Sequence, residues 1–165
     1  MANLFPDGYE KEVITEDDLK SGNPVGYRNG VDFDYEIGDF KRDGKNKMLD
    51  SNGIESWKSW CINCLHTERY KHLAYSTDFG IETDAALKAR NHAEAESILT
   101  RQITEALMAD PYDRTDYIEE IIFNWTAPDT VIVDVAIHGR YDVTIDITAY
   151  ITRGGGITHG RTRDT

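Results

Sequence analysis

The sequence predicts an α+β domain: two main helices packed on a small antiparallel β-meander, with an extended N-terminal arm and a flexible C-terminal tail. Three observations predict it. Apolar residues recur at steps of three and four over residues 53–66 and 92–109. They recur at steps of two in three runs between residues 117 and 151. The links between those runs are short, which makes neighbouring strands antiparallel. The expected division is an arm over 1–30, the α+β domain over 31–151 and a tail over 152–165.

Residues 1–30 mix acidic clusters with turn formers (Pro6-Asp7-Gly8, Ser21-Gly22-Asn23-Pro24, Asn29-Gly30) and show no sustained apolar period, so they are expected to order only against another surface. Val31, Phe33, Tyr35 and Ile37 alternate with Asp32, Asp34 and Glu36, the pattern of one half-buried strand. Gly38-Asp39 turns it, and Phe40-Lys41 is placed to pair back. Ser51 or Asn52 caps the first helix, with Glu55 in its first turn, where a carboxylate suits the helix dipole. Ile54, Trp57, Trp60, Cys61, Cys64 and Leu65 make its apolar face. Residues 71–83 read as a connector, with a short helical piece after Thr83. In the second main helix Ile98, Leu99, Ile103, Ala106 and Leu107 face inward, and Asp110-Pro111 ends it, because a residue before proline avoids the helical region. Turns at Ala127-Pro128-Asp129-Thr130 and His138-Gly139-Arg140 then divide the three strands, and the tail RGGGITHGRTRDT follows.

Composition excludes whole classes of function. The chain has 165 residues, 30 acidic against 18 basic, for a net charge of −12 spread as −5, −3 and −4 over residues 1–50, 51–110 and 111–165. Such a surface repels nucleic acid and anionic membranes. No apolar stretch is long enough to span a bilayer, and the first residues lack a signal peptide's basic and apolar regions, so synthesis in a cytoplasm is expected. Two cysteines cannot build a disulfide framework.

Candidate chemistry fares poorly. Cys61-Ile62-Asn63-Cys64 has the CxxC spacing, but no second ligand pair follows, and both cysteines sit late on an apolar helix face. Buried core thiols are the expectation. Glu68 and Asp78 are the obvious glycosidase pair, but the nine residues between them and the four between Asp78 and Thr83 miss the phage-lysozyme spacing at both intervals. Gly154-Gly155-Gly156 has no lysine or helix after it to hold a phosphate. The five histidines show no metal-ligand spacing. No catalytic residue, cofactor or metal is therefore expected. What remains is a strand edge. The run Val143, Thr144, Ile145, Asp146, Ile147 is strongly β-forming and carries no proline or lysine, the residues with which monomers blunt an edge. It is the candidate for strand addition by a partner chain.

Four stretches in order, VDFDYEIGDF (31–40), GIESWKSWC (53–61), TERYKHLAYSTDFG (67–80) and ITEALMADP (103–111), resemble the small baseplate wedge proteins of contractile phage tails, also called sheath initiators and often labelled lysozyme-like. The resemblance is to the branch found in phages, prophages and tail-like bacteriocins of Gram-positive bacteria, and it covers roughly residues 31–150. It implies a structural, non-enzymatic protein of the baseplate in a virion or tail-like particle, assembled in the host bacterial cytoplasm, in about six copies around the symmetric tail. The implied partners are baseplate wedge proteins of the baseplate J-like type on the helical side and the tail sheath protein on the sheet, with the tube or hub as a further neighbour. The family's acidic-Pro-Arg docking motif finds its first two positions in Asp110 and Pro111; Tyr112 holds the third, and Arg114 stands three residues past the proline. Thr67, Glu68 and Arg69 occupy the family's turn after the first helix and complete the implied wedge-binding set. Two rivals stay open from the residues alone: a tail-associated peptidoglycan hydrolase and a cytoplasmic adaptor.

Overall fold

The structure, a computed structural model, describes residues 27–34, 37–140 and 142–152. The expected tail from 153 and almost all of the expected arm lie outside these residues. Four two-residue strands come first: β1 (Gly30–Val31), β2 (Phe33–Asp34), β3 (Asp39–Phe40) and β4 (Asp50–Ser51). Helix α1 (Gly53–His66), the short α2 (Thr83–Leu87) and α3 (His92–Met108) follow. The chain then builds β5 (Thr115–Ala127), β6 (Thr130–Gly139) and β7 (Val143–Thr152), an antiparallel sheet in the order β5-β6-β7.

One side of that sheet is the core. Val131, Val133, Val135 and Ile137 of β6 alternate inward with Ile145, Ile147, Ala149 and Ile151 of β7, all of them buried. Helix α1 lies over β7 and α3 over β5. They bring Trp57, Cys61, Cys64 and Leu65 from α1, and Leu99, Ile103, Ala106 and Leu107 from α3, into the same cluster. Burial raises both thiols: Cys61 well above its usual range, and Cys64 to about 11 despite the nearby Gly80 backbone and Arg69. Asn52 is the N-cap of α1, its Oδ1 accepting from the Glu55 N–H at 2.8 Å. Asn91 caps α3 in the same way through Glu94 N–H at 2.9 Å, and the Glu94 carboxylate in turn accepts from Arg90 N–H at 3.0 Å.

Two expectations are corrected. The single strand expected over Val31–Ile37 breaks at Asp32, whose N–H bonds Leu49 and whose carbonyl accepts from Lys41, so β1 pairs with β4 and β2 with β3 in two separate ladders. Helix α1 meets the ribbon at its β1–β4 end, where Ser51 and Ser56 hydroxyls are 2.7 Å apart, but at the far end Ile37 is 79% exposed; alternation without a surface to pack on makes no long strand. In β5 the alternation changes phase. Ile118 opposes Ile137 and Glu120 opposes Ala136, leaving Glu119 as an extra residue, a β-bulge. The bulge turns Ile118 onto the side of Ile121, Phe123 and Trp125, all packed on the core.

Residues just before β1 also join the domain. The Tyr27 ring is buried edge-on to Trp57, and its hydroxyl donates to the carbonyls of Arg140 at 2.9 Å and Arg114 at 3.3 Å. Gly139 makes room for it, because a methyl group there would land on the Tyr27 hydroxyl and the Trp57 ring.

Candidate functional site

Two regions carry the residues singled out above. The first is the corner between α3 and β5. Asp110 follows the last turn of α3 and Pro111 begins the reversal. Arg114 folds back over that turn: its Nε and Nη2 each donate to the Asp110 carboxylate at 2.8 Å, and its backbone N–H donates there at 2.8 Å as well. The side chains are 6% and 1% exposed. Trp60 and Tyr112 lie 5.8 and 5.0 Å from the guanidinium carbon, on which their rings stack a cation. Expected from the sequence as a group projecting toward a partner, Arg114 instead clasps its own turn; the i, i+4 spacing from Asp110 and the left-handed backbone at Asp113 bring it inward.

What this corner presents outward is aromatic. Trp60 and Asn63 of α1, Tyr75 and Phe79 of the connector, and Ala109 and Pro111 border an open cleft of about 310 Å³. Trp60 packs edge-on to Phe79 with centroids 5.8 Å apart, and Tyr75 lies 4.6 Å from Phe79. Tyr112 and Met108 are exposed beside it, and Tyr70 and Leu73 stand exposed on the connector. Sequence reasoning placed Trp60 in the core with Trp57. It missed the cleft because connector aromatics have no period to mark them; the signal present was Tyr75 and Phe79, two rings four residues apart in a segment read as a loop.

The second region is β7. It pairs with β6 from Gly139↔Val143 to Thr130↔Thr152 without a register shift, and among the described residues no strand lies on its other side. Thr144 and Asp146 are exposed, Ile145 and Ile147 buried, and Val143 half-buried. The opposite edge, β5, has three register irregularities and exposes Asp116, Glu119 and Glu120. Bulges and charges of this kind blunt an edge, and β7 has no bulge and one central charge.

The implied wedge set does not stay together. Asp110, Pro111 and Arg114 share the first corner. Thr67 and Glu68 instead border a small cleft of about 130 Å³ with Lys71, Tyr150, Ile151 and Thr152, at the end of β7. The Glu68 carboxylate is engaged by Lys71. Arg69 lies between the regions: its Nε donates to the Gly80 carbonyl at 2.9 Å and its Nη1 is 3.7 Å from Glu105 on α3. Among the described residues no group of three or more His, Cys, Asp or Glu side chains is placed to hold a metal ion, and no helix is long and apolar enough to cross a membrane.

No curated protein matches the chain. A model of the contractile injection system sheath initiator family matches residues 30–142, which span the ribbon, all three helices, β5 and β6. With that match over more than half its length, the chain belongs to the contractile injection system sheath initiators, structural components of the tail assembly.

Proposed function

We propose that this protein joins the baseplate wedge to the sheath of a contractile tail or injection particle, and that it starts the sheath by accepting a strand of the sheath protein along β7. The observation that carries the reading is the contrast between the two edges of the sheet: β5 bulged and acidic, β7 continuous over ten residues and unpaired among the described residues. Strand addition draws its affinity from backbone N–H and C=O groups along an edge, and an unbroken register is what makes those groups continuous. The wedge proteins, of the baseplate J-like type, dock on the other side, at the cleft around Trp60, Phe79 and Pro111, where apolar rings are exposed and a clasped turn holds them in place. Thr67 and Glu68 sit with the sheath edge in this reading, not with the wedge. About six copies surround the tail, one per wedge. Assembly takes place in the bacterial cytoplasm. No catalytic step belongs to the reading, in which Glu68 serves as an ion-pair partner of Lys71.

Successive residues of a strand point their N–H groups to opposite sides, and proline removes one donor. Thr144→Pro and Ile145→Pro therefore separate two outcomes. One variant loses a bond to β6 and is expected to unfold the domain. The other loses only a donor on the free edge; it is expected to fold and to give baseplates on naked tubes in electron micrographs. Normal sheaths on particles carrying the folded variant would rule out β7 as the accepting edge.

A further inference from the structure

We propose that the strand accepted by β7 is basic: an extended segment of another chain in which apolar residues on the helix-covered side of the sheet alternate with residues that include lysine or arginine beside Asp146. This rests on the strand-addition reading and names the chemistry of the strand that is added.

The two sides of β7 differ in kind. Toward the helices it presents Ile145, Ile147, Ala149 and Ile151; away from them, Thr144, Asp146 and Thr148. An added strand continues the pleat, so its side chains alternate in step with these. Directly opposed residues come within about 4.5–5.5 Å at Cβ, and unlike charges there attract where like charges repel. Apolar residues are thus required at every second position of the incoming strand, and the other positions meet the open side of the sheet.

Among the described residues that open side carries no cation at its centre. Across the sheet the row at this level is Glu120, Ala136 and Asp146, two exposed carboxylates with a methyl between them. Neither takes part in an ion pair among the described residues. The next row differs, since Asp134 accepts from Thr148 Oγ1 at 2.6 Å and Asn124 Nδ2 at 3.3 Å. The arginines that flank the strands are committed, Arg114 before β5 to Asp110 and Arg140 after β6 to Asp113. At the far end of the edge Glu68 is held by Lys71. The demand for positive charge is therefore local to Asp146. A second copy of this chain does not meet it, because its β7 brings another Asp146 and another net charge of −12. A basic segment is steered toward this surface by the same field that holds copies apart.

The test uses the full chain and two short synthetic peptides, one alternating valine with lysine and threonine, the other with glutamate in place of lysine. Amide hydrogen exchange over residues 143–152 shows whether a peptide pairs with β7, and fluorescence anisotropy of labelled peptide gives its affinity. The lysine peptide is expected to protect β7 and to bind about fivefold more tightly than the glutamate peptide at low salt, with the difference shrinking at about 1 M salt. Asp146→Lys is expected to reverse that order. Glu119→Lys makes the same charge change on β5 and is expected to leave the order as it was. Protection of β7 by both peptides with equal affinity overturns the basic-strand proposal and leaves strand addition standing. An effect of Glu119→Lys equal to that of Asp146→Lys assigns the preference to overall charge and also overturns it. Protection by neither peptide overturns strand addition and this proposal with it.

Discussion

A guanidinium with almost no access to solvent is costly unless its charge is matched by a hydrogen-bonded partner, and Arg114 meets that condition by donating from Nε and Nη2 to the Asp110 carboxylate. The pair closes the turn after α3, and its stacked rings, Trp60 and Tyr112, are part of the aromatic surface of the corner. Removing one partner strands the other charge, so Arg114→Ala is expected to cost about 3–5 kcal/mol, read as a lowered melting temperature. Arg114→Lys keeps the charge without the two-pronged geometry and is expected to recover only part of the loss. An unchanged melting temperature for Arg114→Ala would show that the clasp adds nothing to folding. The sequence displayed Asp110, Pro111 and Arg114 as neighbours of a family motif, and the structure keeps them together. The direction in which the arginine points was not legible, because it depends on the left-handed backbone at Asp113, which no residue pattern announces.

The two long helices were legible to within a residue, because their signals are local: an apolar stripe in each, asparagine before and glutamate within each first turn, and for α3 a proline after the end. The cap of α3 lends itself to measurement. Asn91→Ala removes the acceptor for Glu94 N–H and is expected to lower stability by about 1 kcal/mol in chemical denaturation, with no change in the dependence on denaturant. A loss below the error of the measurement would mean that water replaces the cap. The three strands of the β5-β6-β7 sheet were legible in number, order and turns, since alternation and short links are also local. Their phase was not legible at Glu119, because a bulge is the insertion of one residue relative to a partner strand, and a single strand read alone has no partner to be out of step with. The same limit explains the ribbon: Val31 to Ile37 alternates in sequence, but only contact with a packed layer turns alternation into a long strand.

Across the whole molecule stability is expected to be uneven. Strand β6 is bonded on both sides and its inward side chains are buried, whereas the ribbon of β1–β4 is held by two-residue ladders. Native-state hydrogen exchange is expected to be slowest in β6 and in the inner faces of α1 and α3, and faster by orders of magnitude in residues 30–51. Equal protection of ribbon and sheet would show that the ribbon is a full part of the core. The side of the sheet that faces away from the helices carries Glu120, Asp134 and Asp146, and this was visible only once the strands were placed side by side, because a charge total does not say which face it falls on. Tyr27 has a mechanical meaning as well. Its ring is lodged against Trp57 in the space left by Gly139, and its hydroxyl grips the carbonyls of Arg114 and Arg140. It precedes β1, so a pull on the chain ahead of it reaches this peg before it reaches the ladders. The residues just ahead of the ribbon are thus pinned to helix and sheet at once, at the corner where α1 meets the ends of β5 and β6.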